Sequence, residues 1–439
     1  MIKKDTFLKY RKSPAVRSLG IYTFTNFFGK GVAFLLLPYF TAVLSKADMG
    51  AVTLFSNSML FLIPFISMGV LQSASVEYFK LDKKQFRDFF TSSLLLPVIL
   101  FLLSLLVFYL SRDILTSRYK FPASFVWLIP VGAFLSFLSQ HVVNMIRNEE
   151  NKKLFAGVVL GRLFLEIALA VLLISVLHMA WQGRVNGIVL SYAAMLLYAV
   201  YFFVKRNYLF GQVKKQYIKE ELLFSVPVVV MQFSTFCMNY SDVFFLSRYT
   251  TDNNAEVGVY AIACVFASVI ITLSSAFLQY IHPKIFKLLS QPRVDYSAIR
   301  RQFLIYIGAM GGGLILLLLL VPVAYRFVIN KNYAAGLQYY YLLCIAYFFW
   351  TIAYLFFTFL LYYKQKNKIL LLSLSFILVS LCCNYFFIKN TASASGAALS
   401  VFCSYTIVLG ITLLVTAKQM RFLYSKNLEG YTGDSIETE

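Results

Sequence analysis

The stretch 231–260, MQFSTFCMNYSDVFFLSRYTTDNNAEVGVY, decides how the chain is read. It opens as an apolar helix, yet it carries Asp242, with Asn239 three residues before it and Arg248 six after. It then breaks into a short polar loop and restarts as an apolar helix at Gly258-Val259-Tyr260. A carboxylate inside an apolar span is costly in hydrocarbon, so it faces a protein interior or a water-filled cavity. Two roles are open to Asp242: a structural carboxylate paired with a neighbouring helix, or a group on a transport path.

The rest of the chain has the same character. Of its 439 residues, 60% are hydrophobic and 13% charged, against about 25% charged in a soluble domain. Mean hydropathy is +0.73. A helix needs about 20 apolar residues to cross the hydrocarbon core. Twelve stretches meet that need: 18–44, 51–78, 89–110, 125–146, 154–177 and 187–204, then 222–246, 257–281, 303–325, 337–363, 369–388 and 396–416. The expected fold is an all-α polytopic membrane protein. Runs of this length exclude a barrel of short alternating strands. The first stretch is too long for a signal-peptide core and is read as a retained span.

Net charge of +21 does not point to nucleic acid, because the basic residues are scattered over short loops. With the N-terminus inside, cytoplasmic segments hold 29 Lys and Arg, outer loops hold 9, and Lys30 and Arg162 lie within spans. The positive-inside rule then puts both termini in the cytoplasm.

An internal repeat divides the spans. Ala47-Asp48-Met49-Gly50 and Ala255-Glu256-Val257-Gly258 stand at the same place in each half, 208 residues apart. Phe79-Lys80-Leu81 and Phe286-Lys287-Leu288 repeat at an offset of 207. The expected organisation is a six-helix bundle over 1–204, a cytoplasmic linker over 205–221, a second bundle over 222–417 and a tail over 418–439. Six spans per half preserve direction, so the halves are parallel repeats about a pseudo-two-fold axis along the membrane normal. Such repeats mark transporters that rock two bundles around a central site. The acid before each repeat glycine has a local role as an N-cap or first-turn residue.

Candidate cavity residues are the polar groups held within apolar spans, Asn26 and Lys30 in the first, Arg162 in the fifth, and Asn239 and Asp242 in the seventh, together with Arg248 near the outer end of the seventh. Lys30, between Gly29 and Gly31, is expected to meet an anionic head group or Asp242. Arg162 and Glu166 stand at i, i+4 and neutralise each other on one helix face. A guanidinium fork also suits phosphate oxygens. Asp242, Glu166 and Glu77 are the candidates for ion coupling, to H+ or Na+. His282-Pro283 is expected to close the eighth span.

No Walker A loop, HExxH or GxSxG sequence is present, so neither ATP hydrolysis nor a familiar hydrolase mechanism is encoded. The six cysteines lie in apolar spans without metal spacing, and the three histidines are far apart. No cofactor or metal site is expected, and the chain is read as a non-enzyme. A membrane acyltransferase would need His141 or His178 as its base.

The first span and loop, LLLPYFTAVLSKADMGAVTLF, and the passage NYSDVFFLSRYTTDNNAEVGVYAIA resemble the Wzx-type O-antigen or polysaccharide repeat-unit flippases. These are the polysaccharide transporter branch of the multidrug/oligosaccharidyl-lipid/polysaccharide exporter superfamily. The resemblance covers nearly the whole chain. It implies translocation of an undecaprenyl-diphosphate-linked oligosaccharide to the outer leaflet of the bacterial inner membrane, by alternating access through a cationic cavity. It also implies a polymerase and a chain-length regulator of the same pathway as partners. A multidrug/cation antiporter of the same superfamily shares the expected halves, and a membrane polymerase is the enzyme alternative.

Overall fold

The computed structural model describes residues 25, 28, 29, 31, 32, 34–291 and 295–417. Among them there are helices and no strands. Among the described residues, eleven helices are long and apolar enough to cross a membrane. Part of the first expected span, 18–44, lies outside the described residues: 18–24, 26, 27, 30 and 33.

The chain packs as two compact units, Met1–Phe233 and Ser234–Glu439. In the first, α1 (Leu37–Val43) leads through Ser45 into α2 (Lys46–Ser67). Ser45 and Asp48 form a reciprocal capping box, which satisfies two of the backbone donors that a helix start leaves free. The second expected span, 51–78, is two helices rather than one. Met68 and Gly69 both take left-handed backbone angles, φ 42° and 71°, and α3 (Val70–Lys80) restarts beyond them. The Ser225 hydroxyl donates to the freed Met68 carbonyl. Apolarity alone does not reveal such a break, because both pieces share the same composition.

The first unit continues through α4 (Lys83–Leu110), the short outer α5 (Arg112–Tyr119), α6 (Leu128–Asn148), α7 (Lys152–Ser175) and α8 (Ala180–Lys205). Its core joins Phe86, Phe89 and Phe90 of α4 to Met145 of α6 and Phe202 and Phe203 of α8. Outward on α4, Ile99, Leu102, Leu103 and Leu106 are exposed. Such a band is stable where lipid is the solvent.

The stretch expected as a linker, 205–221, is tied to α4. Gly211 and Gln212 donate backbone N–H groups to Thr91 Oγ1 (2.9 Å) and Asp88 Oδ1 (2.8 Å), and Lys214 N–H donates to Ser92 Oγ (3.0 Å). A Cβ at Gly211 would lie 2.5 Å from the Arg87 carbonyl oxygen, so only glycine fits this approach. Lys214 Nζ pairs with Asp88 at 2.8 Å. That hydrogen bond holds the Lys214 ammonium above the ordinary lysine pKa. The division between the units falls further on, inside the 35-residue α9 (Lys215–Tyr249).

The second unit takes the end of α9, then α10 (Ala255–Ala267), α11 (Val269–Leu289), α12 (Tyr296–Val328), α13 (Gly336–Tyr362) and α14 (Lys366–Cys383). A π-helical turn, Asn384–Ile388, follows, and α15 (Ala394–Thr416) completes the unit. Its core packs Ile281 and Ile285 of α11 against Ile299 and Phe303 of α12 and Leu355 and Phe359 of α13. Pro283 does not end a helix as expected: α11 runs through it to Leu289. A proline removes one ladder hydrogen bond, and spanning helices tolerate this where neighbouring groups satisfy the freed backbone.

Candidate functional site

The first unit assembles a charge cluster at the packing of α7 on α8. Gly183 and Gly187 stand four apart on α8. A Cβ at Gly183 would come within 2.9 Å of Ile174 Cγ1, and one at Gly187 within 2.9 Å of the Ala170 backbone nitrogen. Small residues at this spacing let two spanning helices meet backbone to backbone. Arg184, between the two glycines, is thereby carried to the carboxylate of Glu166.

Glu166 Oε2 accepts from Arg162 Nη1 at 2.8 Å, and its Oε1 lies 2.9 Å from Arg184 Nη1. The second contact is an ion pair without hydrogen-bond alignment. The three side chains are 22%, 12% and 20% exposed for Arg162, Glu166 and Arg184. Aromatic faces back both guanidinium groups: Tyr192 at 4.7 Å from Arg162 and Phe40 at 4.8 Å from Arg184. Two cations share one anion, so the cluster keeps a net positive charge. Glu166 stands nine residues before the outer end of α7, about 14 Å at 1.5 Å per residue.

Asp242 belongs to a different setting. It is 4% exposed within the second unit. One oxygen accepts from its own turn, the Val243 N–H at 3.0 Å, and the other from the Tyr260 hydroxyl. Asn239, one turn earlier, donates to the Thr235 carbonyl at 2.7 Å, and its Oδ1 lies 3.0 Å from the Tyr405 hydroxyl. Beside them Asn384, at the start of the π-helical turn, donates to Ser241 at 2.8 Å and accepts from Ser400 at 2.6 Å. Ser380 donates to the Cys237 carbonyl at 2.6 Å. This network ties α9 to α14 and α15, and π-bulges recur at functional sites.

The remaining expected residues are dispersed. Arg248 is exposed in the last turn of α9, 5.7 Å from the Tyr249 ring. Glu77 pairs with Lys80 at 3.4 Å near the end of α3. Asn26 and Lys30, with the expected pairing of Lys30 and Asp242, lie outside the described residues. His141 is fully buried, its ring stacked on Phe90 at 4.8 Å and on Phe137 at 5.7 Å. It is a core side chain, enclosed where a general base would need access to substrate.

Sequence reasoning missed Arg184, which was counted in an outer loop because the apolar stretch begins at 187. The signal was the run Gly183-Arg-Val-Asn-Gly187, a small-residue pair that extends the helix outward. The Tyr260 hydroxyl was also missed, since tyrosines are too frequent here for one to stand out.

Residues 15–289 match the family described as polysaccharide biosynthesis protein. The chain belongs to that family. No curated protein matches it. Among solved structures, it is similar to an inward-facing multidrug resistance MATE family transporter of the MOP superfamily, with a TM-score of 0.70 at 15% identity, covering 91% of this chain and 96% of that one. A MATE transporter in complex with MaD3S gives 0.54 at 17% identity, covering 93% and 96%. A MOP superfamily transporter from Pyrococcus furiosus, described as having a binding pocket of reverse polarity, gives 0.52 at 15% identity, covering 94% and 96%. At these identities the likeness is one of fold. This member of the polysaccharide biosynthesis family therefore shares the fold of those structures, in a multi-pass membrane chain.

Proposed function

We propose that the chain is a flippase for undecaprenyl-diphosphate-linked oligosaccharide repeat units, moving them from the inner to the outer leaflet of the bacterial inner membrane by alternating access. The observation that carries this reading is the Arg162–Glu166–Arg184 cluster, two guanidinium groups against one carboxylate within apolar helices. A lipid diphosphate carries negative charge through a medium that does not solvate it. Guanidinium forks offer paired donors matched to phosphate oxygens, while the lipid tail stays in the bilayer. Membership of the polysaccharide biosynthesis family supports a saccharide-bearing cargo. Coupling to H+ or Na+ through Asp242, Glu166 or Glu77 belongs to this reading, as do a polymerase and a chain-length regulator as partners.

Charge reversal tests the cluster. Arg162→Glu and Arg184→Glu should each abolish surface polysaccharide while the protein still reaches the membrane. Normal polysaccharide in both variants would refute the role of the cluster.

A further inference from the structure

We infer that Glu221, with Ser73 and Glu77, forms a binding site for a small monovalent cation, a proton or Na+, inside the first unit. Four carboxylate residues are buried among the described residues: Asp88, Glu166, Glu221 and Asp242. Asp88 holds Lys214, Glu166 holds two arginines, and Asp242 accepts from Tyr260. Glu221, only 1% exposed in the second turn of α9, has no cation paired with it among the described residues, and the donor that acts on it is the Ser73 hydroxyl. A buried ionised carboxylate left unpaired is far costlier than a paired one. A bound cation cancels that cost.

The polar groups that act on Glu221 come from α3: the Ser73 hydroxyl and the Glu77 carboxylate. They stand at i, i+4 and share one helix face. Ser73 donates to the Val70 carbonyl at 3.3 Å, a long bond that the hydroxyl can exchange for another. Glu77 is the charged group facing Glu221, and it in turn pairs with Lys80 through one oxygen. Two carboxylates and a hydroxyl give oxygen ligands. One turn further along α9, Ser225 holds the Met68 carbonyl at the break between α2 and α3. The site thus joins α9 to the helix that begins at that break.

This inference deepens the ion-coupling part of the transport reading, but the binding itself is measurable without any lipid substrate. The melting temperature of the full chain in detergent would be followed against pH in choline buffer, and against Na+ at fixed pH. Wild type should show a cation-dependent rise on the order of 5 °C at saturation. Glu221→Gln should remove it, and Ser73→Ala should move its midpoint to higher cation concentration. A response to pH alone identifies the proton; a Na+ response that protons compete with identifies Na+. The same response in wild type and Glu221→Gln would overturn the site. Should that variant fail to fold, an unshifted midpoint in Ser73→Ala would overturn it equally. Either failure leaves the lipid-translocation reading to its own assay.

Discussion

Arg184 on α8 reaches the carboxylate of Glu166 on α7 at 2.9 Å, although 18 positions and a helical turnaround separate them in the chain. Glu166 is therefore not the private partner of Arg162. It balances two cations, and removing it strands both. Breaking a buried pair by deleting one partner costs about 3–5 kcal/mol. Glu166→Ala should lower the melting temperature more than Arg162→Ala, and thermal unfolding of the two variants in detergent compares them directly. Equal losses would mean that Arg184 contributes nothing to the balance.

The approach of α7 to α8 depends on Gly187. Its added Cβ would meet the Ala170 nitrogen at 2.9 Å and its Cα at 3.0 Å, both backbone atoms that have no rotamer to yield. Gly187→Val should force the helices apart, costing about 1–3 kcal/mol by overpacking. It should also lift Arg184 off Glu166. A cysteine pair placed across α7 and α8 near these residues would cross-link in wild type and lose yield in the Gly187→Val background.

Asp242 depends on one hydroxyl for its second oxygen. Tyr260→Phe leaves that buried acceptor without its donor, which costs about 1–3 kcal/mol, and a drop in melting temperature reads it. Asp242→Asn keeps an acceptor for Tyr260 and should cost less. If the order is reversed, the carboxylate owes its stability to another partner.

The strap from Gly211 to Lys214 predicts a protease phenotype. Asp88→Ala removes the acceptor for both the Gln212 N–H and the Lys214 ammonium, and Gly211→Ala introduces a clash with the Arg87 carbonyl. Either variant should be cleaved by trypsin at Lys214 or Lys215 several-fold faster than wild type, because protease reaches only backbone that opens. Unchanged cleavage would show that the segment is held elsewhere.

Much of the fold was legible because spanning a membrane imposes a composition: long apolar runs give the spans, and scattered Lys and Arg give their direction. The breaks were not legible. Met68-Gly69 splits one apolar run into α2 and α3 through two left-handed backbone positions, while Pro283, the stronger sequence signal, lies within an unbroken α11. Hydrocarbon fixes what a helix is made of, and local packing fixes where it bends. At the candidate site, Arg162 and Glu166 were visible because i, i+4 is a local rule. Arg184 and Glu221 were not, because one depends on a close crossing of α7 and α8 and the other on what burial leaves unpaired. Helix ends shifted for a related reason. α9 and α12 begin seven residues before their apolar stretches, in polar sequence that apolarity does not register.

Translocation of a lipid-linked saccharide is tested most directly by mass spectrometry of the lipids in cells lacking this chain, with repeat-unit assembly otherwise intact. The account predicts accumulation of a complete diphosphate-linked oligosaccharide on the inner leaflet, together with loss of surface polymer. Unchanged lipid-linked sugar with increased sensitivity to cationic dyes would contradict it and favour a drug antiporter. Unpolymerised repeat units on the outer leaflet would contradict it in favour of a polymerase.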